Sequence, residues 1–349
     1  MTLTAGTVAT AIILACTTGV LAQSAKGSAP PDVVKIGING VVSDAPFFIA
    51  ETKGFFGEAG IKVEFIAFDA GPKMIAPLGA GQIDVAGGAS SAGLFNAVGR
   101  GINIQIVADR GSTPPGHEYV PIIVRKDLVD SGRVKTYADL KGLKVAEAGQ
   151  GGAQSSLLNE ALKSAGLSFG DVEHVYISYP QQVSALANKA VDAAVTAEPS
   201  ASQAVLGGHA VRMIDSKVYP NQQVAVLLYG GDFIAKRPDV AARFMVAYLK
   251  GARIYNDALK DGHFAGPAGD EVIAILIANT KIKDKALYQA IVPSGINPDG
   301  AINEDSLRKD VAFYQSQKYL ESRVDVSKVV NLTFRDQALK ALGPYRPSN

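Results

Sequence analysis

Across residues 35–65 the hydrophobic pattern changes period twice. Residues 35–38 alternate weakly and break at Asn39-Gly40, while Ile61, Val63 and Phe65 alternate with Lys62 and Glu64, which is strand spacing. Between them, Ser43 or Asp44 can cap a helix whose first turn accepts Pro46, because a first-turn amide has no intrahelical partner. Gly54 stands just past that helix, where left-handed backbone is wanted. A β-α-β unit of this length predicts two parallel strands joined by a right-handed crossover. The loop at 42–45 then opens at the carboxyl end of the sheet, the edge where open α/β sheets bind ligands.

Further along, Gly71-Pro72 starts a short helix, and 83–86 reads as a buried strand. The run 87–91 turns into a helix through Leu94 and Val98. Ile102, Ile104 and Ile106 alternate in a strand that delivers Asp109-Arg110-Gly111, a Pro/Gly loop follows at 113–116, and 120–124 is an apolar strand. The punctuation then repeats. A strand at 143–146, a loop at 149–155 and a helix face at Leu157, Leu158, Ala161, Leu162 and Ala165 mirror the first unit. The stretch 186–194 has the spacing of 78–86, with Asp192 in the place of Asp84. Both aspartates read as strand-entry turns rather than ligands. An apolar run at 224–229 suits a strand returning to the first half, and the pattern from 238 onward is helical. The economical reading is α/β with two similar lobes, 33–121 plus 222–349 and 122–221, two crossing strands, and a helical tail packed on lobe one.

The 34 basic residues against 33 acidic ones leave no concentrated positive footprint, so nucleic-acid binding has no support. Residues 1–25 carry no charged side chain, and 8–22 is largely apolar, too short for a comfortable membrane span. We therefore expect a secretory leader at 1–22 and a tether at 23–32. Cleavage after Ala22, lipidation at Cys16 and an uncleaved anchor all stay open. Cys16 is the one cysteine, so the folded part offers neither a disulfide framework nor a cysteine metal site. The four histidines show no i,i+4 pairing, and no metal or cofactor is expected.

Four loops are expected to meet at one cleft: 42–47, 88–91, 149–155 and 179–182. The first three end at helix amino termini, whose free amides and positive dipole end attract anions, at about 1.5–3 kcal/mol per charge-assisted hydrogen bond less desolvation. The first loop offers Ser43 and Asp44, with Phe47 as an apolar wall. The second offers Ser90 and Ser91. The third offers Gly152, Ala153 and Gln154, and the fourth Tyr179 and Gln181. Each serine can equally cap its own helix. Arg110, at a strand end, could pair a carboxylate or sulfonate bidentately. As a cleft-lip residue its loss should weaken binding and leave stability unchanged. Glu198, before Pro199, could receive a ligand amine. Asp44 puts negative charge at an anion site and is expected to cap its own helix.

The runs PFFIAETKGFFGEAGIKVE (46–64) and LGAGQIDVA (78–86) resemble solute-binding proteins of ABC importers. The resemblance is to the nitrate/sulfonate/taurine branch, which includes binders of thiamine-pyrimidine precursors. It implies a two-lobed type II periplasmic-binding-protein-like fold and capture of a small, anionic organic solute outside the cytoplasmic membrane. It also implies docking of a monomeric protein on a membrane permease. The competing class is an enzyme on the same fold, either a carboxylate-dependent lyase or a pyrimidine-precursor enzyme. The cysteine-dependent desulfinases and Cys-rich synthases of the superfamily need thiols this chain lacks. Gly149-Gln-Gly-Gly-Ala-Gln is neither a dinucleotide loop nor a P-loop.

Overall fold

The computed structural model describes residues 1–3, 30–213 and 217–347, and residues 31–349 form one compact unit. The expected leader and Cys16 lie outside the described residues. Two five-stranded sheets carry the fold. The first runs in the order β2-β1-β3-β10-β4, built from β1 (Asp32–Ile38), β2 (Ile61–Ala67), β3 (Val85–Ala89), β4 (Ile104–Thr113) and β10 (Gln222–Gly230). The second runs β7-β6-β8-β5-β9, from β5 (Ile122–Arg125), β6 (Lys144–Glu147), β7 (Glu173–Tyr176), β8 (Ala193–Val195) and β9 (Ala210–Met213).

The orders are the same order twice. β1 lies parallel between β2 and β3, as β6 does between β7 and β8. In each sheet the next strand is antiparallel and arrives from the other half: β5 comes after β4 in the chain, by way of 114–121, and β10 comes after β9. β10 is buried along its whole length. That explains its unbroken apolar run, since a strand covered on both faces has no solvent side to alternate with.

The helix predicted after β1 spans Ala45–Thr52 with Pro46 in its first turn, and Gly54 takes φ +76° just beyond it. The long helix Pro238–Asp257 packs on it, bringing Phe47 against Phe244 and Tyr248. Of the remaining C-terminal helices, Thr333–Leu342 packs on the long helix and on β4, while Glu304–Ser316 touches both β10 and the second half's helix Ala153–Ser164. The tail is thus a wall of the first sheet that also reaches across the molecule. Sequence periodicity passed over the helix Ser200–Leu206 and the edge strand β9. Among the described residues no helix is long and apolar enough to cross a membrane.

Candidate functional site

The site begins where β1 ends. Asn39-Gly40 turns the chain, with Gly40 at φ +70°, and the turn aims three amides at one point. Asp44 Oδ2 accepts from Asn39, Gly40 and Val41 at 3.3, 2.8 and 3.2 Å. Its Oδ1 pairs with Arg110 Nη2, a salt bridge whose two side chains are 1% and 0% exposed. Arg110 donates also to Asn39 Oδ1 at 3.1 Å. The guanidinium can pack close against β3 because position 87 is glycine: a Cβ there would come within 2.9 Å of Arg110 Cζ. Burial works against the guanidinium's charge, and the Asp44 carboxylate more than offsets this, holding Arg110 above its ordinary pKa.

Two expectations are corrected here. Arg110 is not an exposed lip residue, because the strand end that carries it is covered by the loop after β1. Asp44 does not cap the Ala45–Thr52 helix, which has no side-chain cap bond. The amides before it are better placed than those after it.

Arg110 walls a cavity of about 20 Å³ between the two sheets. The first half contributes Asn39 and Ser43, the crossing segment Tyr119 and Val120, and the second half Gln154 and Tyr179. Tyr119 fits because Gly111 faces it, where a Cβ would lie 2.6 Å from its hydroxyl oxygen. Gln154 Nε2 donates to Tyr179 Oη. Burial pushes both tyrosine hydroxyls far above their ordinary pKa, so both keep their protons. Ser43 Oγ is near enough to Tyr119 to counter that rise slightly, yet makes no hydrogen bond of normal geometry, and Arg110 Nε also lacks a partner. A cavity of this size holds about one water.

The halves meet around it through backbone. Ala92 N donates to Gly151 O at 2.8 Å and Val42 N to Glu198 O at 3.1 Å, while Gln222 Nε2 donates to Ala153 O at 2.8 Å. These bonds use helix-end groups that the sequence reading had offered to an anion. Ser91 Oγ likewise caps its own helix, accepting from Leu94 N at 3.3 Å.

Thus Ser43, Arg110, Gln154 and Tyr179 come together on the cavity. Phe47 is in the core, fully buried. Ser90 Oγ donates to Asp310 at 3.1 Å and to Gln223 O at 3.2 Å. Gly152 is the N-cap residue of Ala153–Ser164, and Gln181 accepts from Ser178 in a capping box. Glu198 is buried against Arg212, Ser202 and Val292 N, while the neighbouring Ala197 reaches the cavity. Sequence reasoning missed Asn39, read as a strand breaker, and Tyr119, which falls between the Pro/Gly loop at 113–116 and the apolar strand at 120–124. An aromatic immediately before a crossing strand was the available signal.

Three further buried carboxylates lie behind the cavity walls. Asp109 accepts from Gln223, Asn297 N and Gly111 N, and burial pushes its pKa up to about 6. Asp310 accepts from Tyr219 at 2.7 Å and from Ser90, and burial pushes it up to about 7. Glu147 takes the Ser155 hydroxyl and, at 2.8 Å, His174 Nδ1. Burial opposes charge on that imidazole, and the Glu147 carboxylate outweighs it, raising the pKa of His174.

The architecture is that of two-lobed periplasmic-binding proteins. It superposes with TM-score 0.69 on the alkanesulfonate-binding protein SsuA from Xanthomonas axonopodis pv. citri bound to MOPS, at 21% identity, covering 87% of this chain and 99% of that one. Residues 42–259 match the sequence pattern of the family described as NMT1/THI5 like, and the chain belongs to that family. It is 32% identical over 177 residues to a protein of Escherichia coli (strain K12) named for binding aliphatic sulfonates, covering 51% of this chain and 50% of the relative. The chain therefore spans about half the length of that relative. A Bacillus subtilis (strain 168) protein of the same name is 25% identical over 322 residues, 88% of each chain.

Proposed function

We propose that this protein is the extracytoplasmic solute-binding component of an ABC importer, which captures a small organic solute between its lobes, 33–121 plus 222–349 and 122–221. The carrying observation is a cavity walled by residues of both halves and flanked by hydrogen bonds between them. At about 20 Å³ it is too small for a solute of several heavy atoms, so the solute enters by separation of the lobes about the crossing segments 114–121 and 217–221. Solute that touches both lobes favours the closed form by its differential affinity for it. Closed protein then docks, as a monomer, on a membrane permease; delivery outside the cytoplasm falls to residues 1–22, by cleavage or by lipidation at Cys16. The relatives' names support this reading, as does the shared fold.

The test screens organic solutes by thermal shift, where ligand at 100 times its dissociation constant adds about 2.7 kcal/mol. Hits go to small-angle scattering and mass spectrometry. We expect a smaller radius of gyration with solute, and solute recovered unchanged at one per chain. Chemical conversion of the solute, or a radius unchanged at saturation, overturns the proposal.

A further inference from the structure

Among the described residues Arg110 is the one charged side chain on the cavity wall, yet its charge is already taken. Asp44 sits behind it in direct contact, and both are out of solvent. Three loop amides fix Asp44 in place, so an incoming anion cannot displace it without leaving those amides bare. The other polar groups on the wall are neutral: the Asn39 and Gln154 amides and the hydroxyls of Ser43, Tyr119 and Tyr179. An anion placed against Arg110 would meet the Asp44 carboxylate a few ångström further out. By Coulomb's law that removes roughly half of its attraction to the guanidinium, while its full desolvation cost remains. A neutral polar group loses far less on entering, and still finds donors in Arg110, both tyrosines and Gln154.

Resting on the solute-binding reading, we propose that Asp44 is a specificity-determining residue: by neutralising Arg110 it sets the cleft to select net-uncharged polar solutes over anions. The solute is an uncharged molecule with a hydrogen-bond acceptor, carbonyl-like or sulfonyl-like, turned toward Arg110. This reassigns the anion preference expected from the helix ends, whose free groups are partly consumed in holding the lobes together.

The experiment uses two probes of nearly one shape, benzenesulfonamide and benzenesulfonate, titrated to tens of millimolar. The Arg110 Nε–H resonance of the full-length protein is the readout. Wild type should show saturable shifts with the sulfonamide at a concentration about tenfold or more below that for the sulfonate. Asp44→Asn, which keeps one acceptor for the loop amides but frees the guanidinium charge, should reverse the ranking. Equal or tighter binding of the sulfonate to wild type, no saturable response to the sulfonamide, or an unreversed ranking in Asp44→Asn overturns the proposal. Should that variant not fold, the wild-type ranking decides alone. A sulfonate that binds wild type at least as tightly as the sulfonamide and shrinks its radius of gyration defeats this assignment and leaves solute capture standing. A protein that no solute in the screen closes defeats the solute-binding reading itself.

Discussion

In the first lobe, Asp84 N donates to Lys35 O at 2.9 Å while Asp84 Oδ2 accepts from Lys35 N at 2.9 Å. In the second, Asp192 does the same with Lys144, at 2.9 and 3.0 Å. Each aspartate also holds an arginine, Arg237 and Arg125 respectively. The scaffolds therefore agree down to individual hydrogen bonds. The loops that follow β1 and β6 do not. The first lobe sets the buried Asp44 behind Arg110, whose guanidinium is the charge that reaches the cavity wall. The second turns Glu147 away, toward Ser155 and His174 on the far edge strand, and the polar side chains it shows the cleft, Gln154 and Tyr179, are uncharged. Repeated framework fixes where a cleft forms, and unmatched loops decide which charges face it.

The largest expected effect breaks the first lobe's side of that contrast. Arg110→Ala leaves Asp44 buried without its cation, and removing one partner of a buried pair costs about 3–5 kcal/mol. Urea unfolding should show the full loss without any solute present. A change below about 1 kcal/mol would mean that the three loop amides alone satisfy Asp44.

Next is pH. Asp310 sits between the lobes, in contact with Ser90 of the first and near Ser156 of the second. Its folded pKa of about 7 lies above the ordinary value of 3.8. Between those two values the native state holds a proton that the unfolded chain has released, so stability falls as pH rises from about 4 to about 7 and then levels off. For a group this buried the loss is on the order of 2–4 kcal/mol. Asp310→Asn should remove most of that slope between pH 5 and pH 8. Asp109 and His174, both raised, act in the same direction and leave a remainder. A variant with the wild-type slope would show that Asp310 is ionised in the native protein and held by its hydroxyl partners.

Most of the framework was legible because it is written in local patterns. Alternation at Ile61, Val63 and Phe65 gave β2, and the common spacing of 78–86 and 186–194 gave the second copy of the sheet. The site was legible only as loops. That Arg110 is buried depends on Gly87 leaving room for it and on Asp44, 66 residues away in sequence, reaching it. No periodicity encodes either fact. The helix-end argument failed for Ala92, whose amide is taken by Gly151 O, because a single chain segment does not reveal what the facing lobe will supply. Asp84 and Asp192 were read as structural for the wrong detail, a turn, when they are clamps between neighbouring strands.

Those clamps give the last and smallest test, and it bears directly on the sameness of the two scaffolds. Asp84→Ala and Asp192→Ala each remove the acceptor for a strand amide, Lys35 N or Lys144 N, and each takes one of several partners from an arginine, Arg237 or Arg125. The arginine contributes little, since Arg125 keeps Asp127 and Arg237 keeps the Val33 carbonyl. The orphaned amide carries the cost, about 1–3 kcal/mol. Because the two geometries agree, the two losses should agree within about 0.5 kcal/mol. The double variant should lose their sum, since the sites lie in separate sheets and share no partner. Urea midpoints of the two single variants and the double settle it. If Asp192→Ala proves neutral while Asp84→Ala does not, the second lobe draws its cohesion from elsewhere, and the correspondence is one of geometry without energy.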